Sequence, residues 1–179
     1  MSNTALPREA ELRTWASRGI EVKGDVLVTR MPRLRDVVAS GEEPAHATLR
    51  CWKDEQHRYI VDVKVQMNVA LECQRCLSHC ELELATHSSL CVLWNEESIK
   101  ELPSGLDPLI AGDVSDIHAL VEEELLLALP AVPMHGVGDC EDISRTFGDS
   151  TMDVVEDKES PFAALGALLK TPDAKDDKE

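Results

Sequence analysis

RYIVDVKVQMNVALEC, residues 58–73, alternates in hydropathy along its length. Tyr59, Val61, Val63, Val65, Met67, Val69 and Leu71 fall on one parity, and Ile60, Asp62, Lys64, Gln66, Asn68 and Ala70 on the other. Successive side chains of a strand point to opposite faces, so this pattern predicts a long strand with one dry and one wet face. A wet face is the mark of an antiparallel sheet, since parallel sheets are covered on both sides. The neighbouring stretches supply partners. HATLRCW (46–52) places Ala47, Leu49 and Cys51 on one face. CELELATHSSLCVLW (80–94) turns Leu82 and Leu84 inward, with a bend expected near His87-Ser88-Ser89. Upstream, IEVKGDVLVT (20–29) predicts a hairpin centred on Lys23-Gly24-Asp25, where glycine meets the demand of a tight turn.

Helical patterns flank these strands. PREAELRTWASRG (7–19) opens on proline, closes on Gly19 and groups Leu12, Trp15 and Ala16. MPRLRDVVASG (31–41) reads as a second short helix with Leu34, Val37 and Val38 apolar. VSDIHALVEEELLLALP (114–130) is the main helix, capped by Ser115 or Asp113 and stopped by Pro130. Its core stripe is Ile117, Leu120, Val121, Leu125 and Ala128, and Leu126, Leu127 and Leu129 widen it. The acidic, Pro- and Gly-containing stretch 95–113 reads as a loop, and 131–140 as extended and turn-rich. The fold class is therefore α+β: an antiparallel sheet, with barrel-like closure as one form it can take, short N-terminal helices and one main C-terminal helix. The domain is expected over 1–140. Residues 141–179 read as a flexible, acidic, largely disordered tail with a short helix at 161–170, where Phe162, Leu165 and Leu169 share a side as a candidate partner-binding anchor.

Charge narrows the function. The chain has 179 residues, 18 basic and 34 acidic, for a net of −16. That excludes a protein that coats nucleic acid nonspecifically, because such binding rests on many Lys and Arg contacts to phosphate. The charge is uneven: residues 1–80 carry 12 basic and 11 acidic side chains, whereas residues 81–140 carry 1 and 12. The Arg-bearing half suits RNA and the acidic half suits a basic protein. The sequence contains no apolar run near the ~20 residues of a membrane span. The first 30 residues show no apolar signal region, which predicts a cytoplasmic chain. Its six cysteines then read as metal ligands or free thiols, not disulfides.

Cys73-Gln74-Arg75-Cys76 is a C-x-x-C at a strand-to-strand turn. Two thiolates so spaced can share one tetrahedral ion. His135 and Cys140 can complete a Cys3His set for one structural zinc if the fold brings the two turns together. His79 and Cys80 are alternative ligands, ordinary half-buried thiols are the plain alternative, and Cys51 and Cys91 read as core. A thioredoxin-like role would place the pair at a helix start, but strand patterns flank it on both sides. His46, His57, His87 and His118 have no evident carboxylate partner, and Glu122-Glu123-Glu124 reads as a solvated face. No nucleophile elbow, phosphate loop or zinc-protease motif occurs, so no enzyme and no small-molecule substrate are expected. Arg33, Arg35 and Arg75 are the candidate RNA contacts, in a patch with Arg30, Arg50, Arg58 and Lys64.

LECQRCL (71–77), LVEEELLLALPAVPMH (120–135) followed by Cys140, and SPFAALGALLK (160–170) together resemble the YceD family, in order from about residue 12 to residue 170. Its members are described as large ribosomal RNA subunit accumulation proteins of bacteria and plastids. The resemblance implies a cytoplasmic role in accumulation of large-subunit ribosomal RNA and no known reaction. The expected reading is a non-enzymatic assembly factor with large-subunit ribosomal RNA precursor or basic ribosomal and assembly proteins as partners; the alternatives are a pure protein–protein adaptor without RNA contact and a zinc- or thiol-dependent enzyme. The resemblance also implies relatives with Cys in place of His135, an exchange between two zinc-ligand types.

Overall fold

The structure is a computed structural model that describes residues 4–39 and 43–140. The predicted tail and its 161–170 helix, with Phe162, Leu165 and Leu169, lie outside the described residues. Chain order is β1 (Glu9–Ala10), α1 (Leu12–Arg18), β2 (Glu21–Val26), a 3-10 turn (Val28–Arg30), α2 (Pro32–Arg35), β3 (Ala45–Lys53), β4 (Tyr59–Glu72), β5 (His79–Leu93), a second 3-10 helix (Glu96–Glu101), β6 (Asp107–Ile110), β7 (Ser115–Asp116) and α3 (Ile117–Ala128). Five strands form one sheet in the order β2-β3-β4-β5-β6, antiparallel except for the β5–β6 pair. The sheet stays open, with β2 and β6 at its ends, so the fold is α+β but not a barrel.

The alternation in β4 organises the core. Val61, Val63, Val65, Met67, Val69 and Leu71 are all buried on one face, in one cluster with Ala45, Ala47, Leu49 and Cys51 of β3. Leu12 and Ala16 of α1 and Ile117, Val121 and Leu125 of α3 cover that face. Each such aliphatic side chain contributes about 1.5–3 kcal/mol on burial. The other face is mostly wet, but Trp52, Ile60 and Cys91 make one cross-strand row on it, and Ile60 and Cys91 are buried there, outside the main cluster.

Several local readings change. The expected hairpin at 20–29 is one straight strand, β2, paired with β3 throughout. Gly24 is required for close approach, not for a turn: a Cβ there would sit 2.5 Å from the Thr4 carbonyl oxygen. The helix expected over 31–41 is a single turn, α2, and Val37 is exposed. No bend interrupts β5 at His87-Ser88-Ser89, since its pairing with β4 runs unbroken. The stretch read as a loop holds β6, whose Pro108 is tolerated because the strand is an edge. The cap of α3 is Asp116, which accepts from the Ala119 N–H at 3.0 Å.

The acidic triplet of α3 is only partly solvated. Glu122 and Glu124 are each 4% exposed, whereas Leu127 is 75% exposed. Glu122 accepts from the backbone N–H groups of Arg33 and Leu34 at 2.7 and 3.1 Å, satisfying free donors at the start of α2. Glu124 accepts from the hydroxyls of Thr86 and Ser88, which interrupt the apolar inner row of β5. A buried carboxylate demands such partners.

Candidate metal centre

The β4–β5 connection is a tight knuckle. The Cys73 N–H donates to the Ser78 carbonyl at 2.9 Å, and the Leu77 N–H to the Cys73 carbonyl at 2.8 Å. Leu77 takes a φ of 62°, the left-handed geometry that closes the turn. Past α3, the chain returns beside the knuckle: the Gln74 N–H donates to the Pro133 carbonyl at 2.9 Å. That contact brings 131–140 alongside 73–78.

The result is convergence of Cys73, Cys76, His135 and Cys140, whose ligand atoms all lie within 4.8 Å of one another. Cys73 Sγ is 3.7 Å from Cys140 Sγ, and His135 Nδ1 is 3.3 Å from Cys76 Sγ and 3.7 Å from Cys140 Sγ. A tetrahedral zinc with ordinary bond lengths separates its sulfurs by about 3.8 Å and sulfur from nitrogen by about 3.6 Å. The spacings fit such an ion. His79 and Cys80 are not among the converging groups: the Cys80 thiol is buried and points to the Leu71 carbonyl at 3.5 Å.

The surrounding bonds orient the four groups and pull their protonation in opposite directions. His135 Nε2 lies 3.0 Å from the His79 carbonyl, so it carries the proton and leaves the Nδ1 lone pair facing the thiols. Arg75 Nε donates to Cys140 Sγ at 2.8 Å, and its Nη2 reaches the Gly136 carbonyl at 3.2 Å. Burial alone would raise the Cys73 thiol, but backbone N–H donors from Cys76, His135 and Arg75 outweigh it and hold it at about 5. Cys76 is lowered by the Ser78 hydroxyl, 3.0 Å away, and by the Ser78 N–H. Cys140 is raised by burial, with Arg75 opposing. His135 is raised, first by its bond to the Cys73 thiol.

The arginines divide differently from the expected patch. Arg33 pairs with Glu122 at 3.3 Å and Glu123 at 2.8 Å, Arg58 pairs with Asp54 at 2.6 Å, and Arg75 braces the knuckle. Among the described residues Arg35 pairs only with its neighbour Asp36, at 3.2 Å. The exposed heads of Lys23, Arg50 and Lys64 share the wet sheet face instead. A 710 Å³ concavity there is lined by Lys23, Thr48, Lys64 and Gln66 with two histidines. Those histidines do have carboxylate partners: His46 Nδ1 is 2.6 Å from Asp25, and His87 Nε2 is 3.8 Å from Asp62. Both pairs span different strands, so residue spacing could not reveal them.

A family model described as large ribosomal RNA subunit accumulation protein YceD matches residues 61–169, from within β4 past all four converging ligands. The chain belongs to the YceD family. It is similar to the large ribosomal RNA subunit accumulation protein YceD of Haemophilus influenzae, at 30% identity over 172 residues, covering 94% of this chain and 98% of that one. No solved structure matches it. Among the described residues, no helix is long and apolar enough to cross a membrane.

Proposed function

We propose that this chain is a non-enzymatic, cytoplasmic factor supporting accumulation or maturation of large-subunit ribosomal RNA, with one structural zinc on Cys73, Cys76, His135 and Cys140. Similarity to the Haemophilus influenzae protein along nearly all of both chains carries the ribosomal part. The four converging ligand atoms, with the His135 ring fixed by a carbonyl, carry the metal part. With all four positions protein-filled, the ion would have no open site for a substrate and would serve structure. Its role would be to clamp the return segment 131–140 onto the β4–β5 knuckle.

The RNA contact in this reading is electrostatic and confined to the Arg-bearing half, through Arg35, Arg50 and Lys64. Arg33 and Arg75 support it by shaping α2 and the knuckle. The Phe162, Leu165 and Leu169 segment remains a proposed protein-docking element. The test is a strain lacking this chain, complemented with wild type, with Cys73→Ser, or with Arg35→Glu/Arg50→Glu/Lys64→Glu. Large-subunit ribosomal RNA is measured against small-subunit RNA, and RNA crosslinked to the protein is sequenced. Wild type restores the ratio and both variants fail. Crosslinks to basic proteins with none to RNA would favour an adaptor, and an unaltered ratio in the deletion strain would overturn the ribosomal reading.

A further inference from the structure

Three edge stretches of the main sheet, on β2, β6 and β5, are not treated alike. Along β2, the Leu6 N–H donates to the Asp25 carbonyl and the Asp25 N–H to the Thr4 carbonyl, both at 3.1 Å, so the N-terminal segment covers this edge at Asp25. Along β6, Pro108 removes a donor from the edge strand. The third edge arises because β5 is longer than its outer partner: β6 pairs with Leu90–Leu93, and among the described residues β5 has no outer neighbour below that point.

The register shows which groups face outward. The Cys73 N–H bonds to the Ser78 carbonyl, and antiparallel pairs alternate between bonded and non-bonded. Leu71–Cys80, Val69–Leu82, Met67–Leu84 and Val65–Thr86 are therefore the bonded pairs. The N–H and C=O groups of Glu81, Glu83, Ala85 and His87 then point away from β4. Two outward carbonyls further along the same parity confirm the direction: His79 meets His135 Nε2, and Leu93 accepts from the Ala111 N–H. Among the described residues the eight groups of Glu81, Glu83, Ala85 and His87 have no hydrogen-bond partner, and all four residues are exposed. No lysine, proline or bulge guards this stretch.

From this edge we infer that β5 accepts an added strand: an extended segment of another protein, with Lys or Arg at alternate positions. The charge around the edge selects that occupant. Glu81 and Glu83 stand on its wet face, Glu72 lies across from His79 at the knuckle end, and Glu43 and Glu83 line one small concavity. No Lys or Arg interrupts β5. Main-chain bonds would supply affinity, and cations at alternate positions would meet the glutamates. A second copy of the chain is disfavoured by a net charge of −16 on each. The site is separate from the metal centre and does not depend on the ribosomal reading.

The test uses the full chain and two blocked peptides, acetyl-(Lys-Val)4-amide and acetyl-(Glu-Val)4-amide. Hydrogen exchange of the Glu81, Glu83, Ala85 and His87 amides is followed by NMR. The basic peptide should slow these four amides at least tenfold, and the acidic peptide should not. Ala85→Pro removes a donor that points away from β4, so the native spectrum should persist while binding falls at least tenfold. Glu81→Lys/Glu83→Lys should reverse the preference between peptides. No slowing by the basic peptide, equal slowing by both, or slow exchange of these amides in the free monomer would overturn the inference. So would concentration-dependent protection with self-association in sedimentation. If Ala85→Pro fails to fold, the wild-type exchange and the charge reversal decide alone.

Discussion

The inner face of β4 and the knuckle at its end are consecutive in sequence but held together by different forces. From Val61 to Leu71 every second residue is a buried hydrophobe, and the sheet is held by apolar contact with α1 and α3. From Cys73 to Ser78 the turn is held to 131–140 by sulfur, imidazole, guanidinium and carbonyl groups. Apolar contact is non-directional and spread over many side chains, so the sheet is expected to tolerate conservative change. The knuckle depends on a few directional groups, and loss of one should be felt by all. Two sets of cysteines show the contrast. Burial pushes the Cys51 thiol up to about 11 and raises Cys91, whereas donors around Cys73 bring it down to about 5.

The largest expected effect breaks this division at the knuckle. Metal analysis of protein purified under reducing conditions without chelator should find near one zinc per chain, and less than about 0.2 in Cys73→Ser/Cys76→Ser. Cys51→Ala should keep the metal. Structural zinc sites bind with about 10–16 kcal/mol, so chelation should release 131–140 while the β4 amides stay protected from exchange. Less than about 0.2 zinc per wild-type chain would remove the metal from this picture.

Next in size is a change to the sheet core. Leu49→Ala, at a site with no exposure, should cost about 2–5 kcal/mol in denaturant unfolding and leave the zinc content unchanged. Loss of zinc in that variant would show the regions to be one cooperative unit. Glu122→Ala tests the polar seam between α3 and α2, because it strands the Arg33 and Leu34 N–H groups and leaves the Arg33 guanidinium with Glu123 alone of its two carboxylates. About 2–3 kcal/mol is expected, with Glu122→Gln milder.

The smallest effect is at the helix cap. Burial alone would raise the Asp116 carboxyl, but the Ala119 N–H and Arg8 outweigh it and hold it below its ordinary value. A lowered carboxyl contributes stability above its unfolded value that is lost as pH falls through the folded one. Asp116→Ala should therefore cost about 1 kcal/mol near neutral pH. The gap to wild type should close below about pH 4, where the unfolded carboxyl also begins to protonate. A constant gap across that range would assign the effect to helix propensity instead of the cap.

Much of this molecule was legible before its structure. The period of two in 59–71 specifies the strand, its dry face and the antiparallel partner, because alternation of side chains is local geometry. Gly19 at a left-handed φ of 64° ends α1 as its position suggests. The C-x-x-C turn was likewise readable, since two thiols three positions apart on a tight connection are already near each other. His135 and Cys140 were nameable as ligands only by residue type, and spacing alone could not bring them to the pair.

Other features depend on contacts distant in sequence. Gly24 reads as a turn until Thr4 is seen against it. Glu122 and Glu124 read as solvated until Arg33, Leu34, Thr86 and Ser88 are found around them. Among the described residues, the pairing of β6 with only the last part of β5 leaves an open edge that no periodicity announces. Sequence by itself determined the three central strands β3, β4 and β5, their faces and the residue types available for a metal, because these follow from neighbours along the chain. Tertiary structure decided which carboxylates are buried, whether the four ligands meet and which edge is unpaired among the described residues. Those outcomes depend on groups far apart in sequence competing for the same few ångströms.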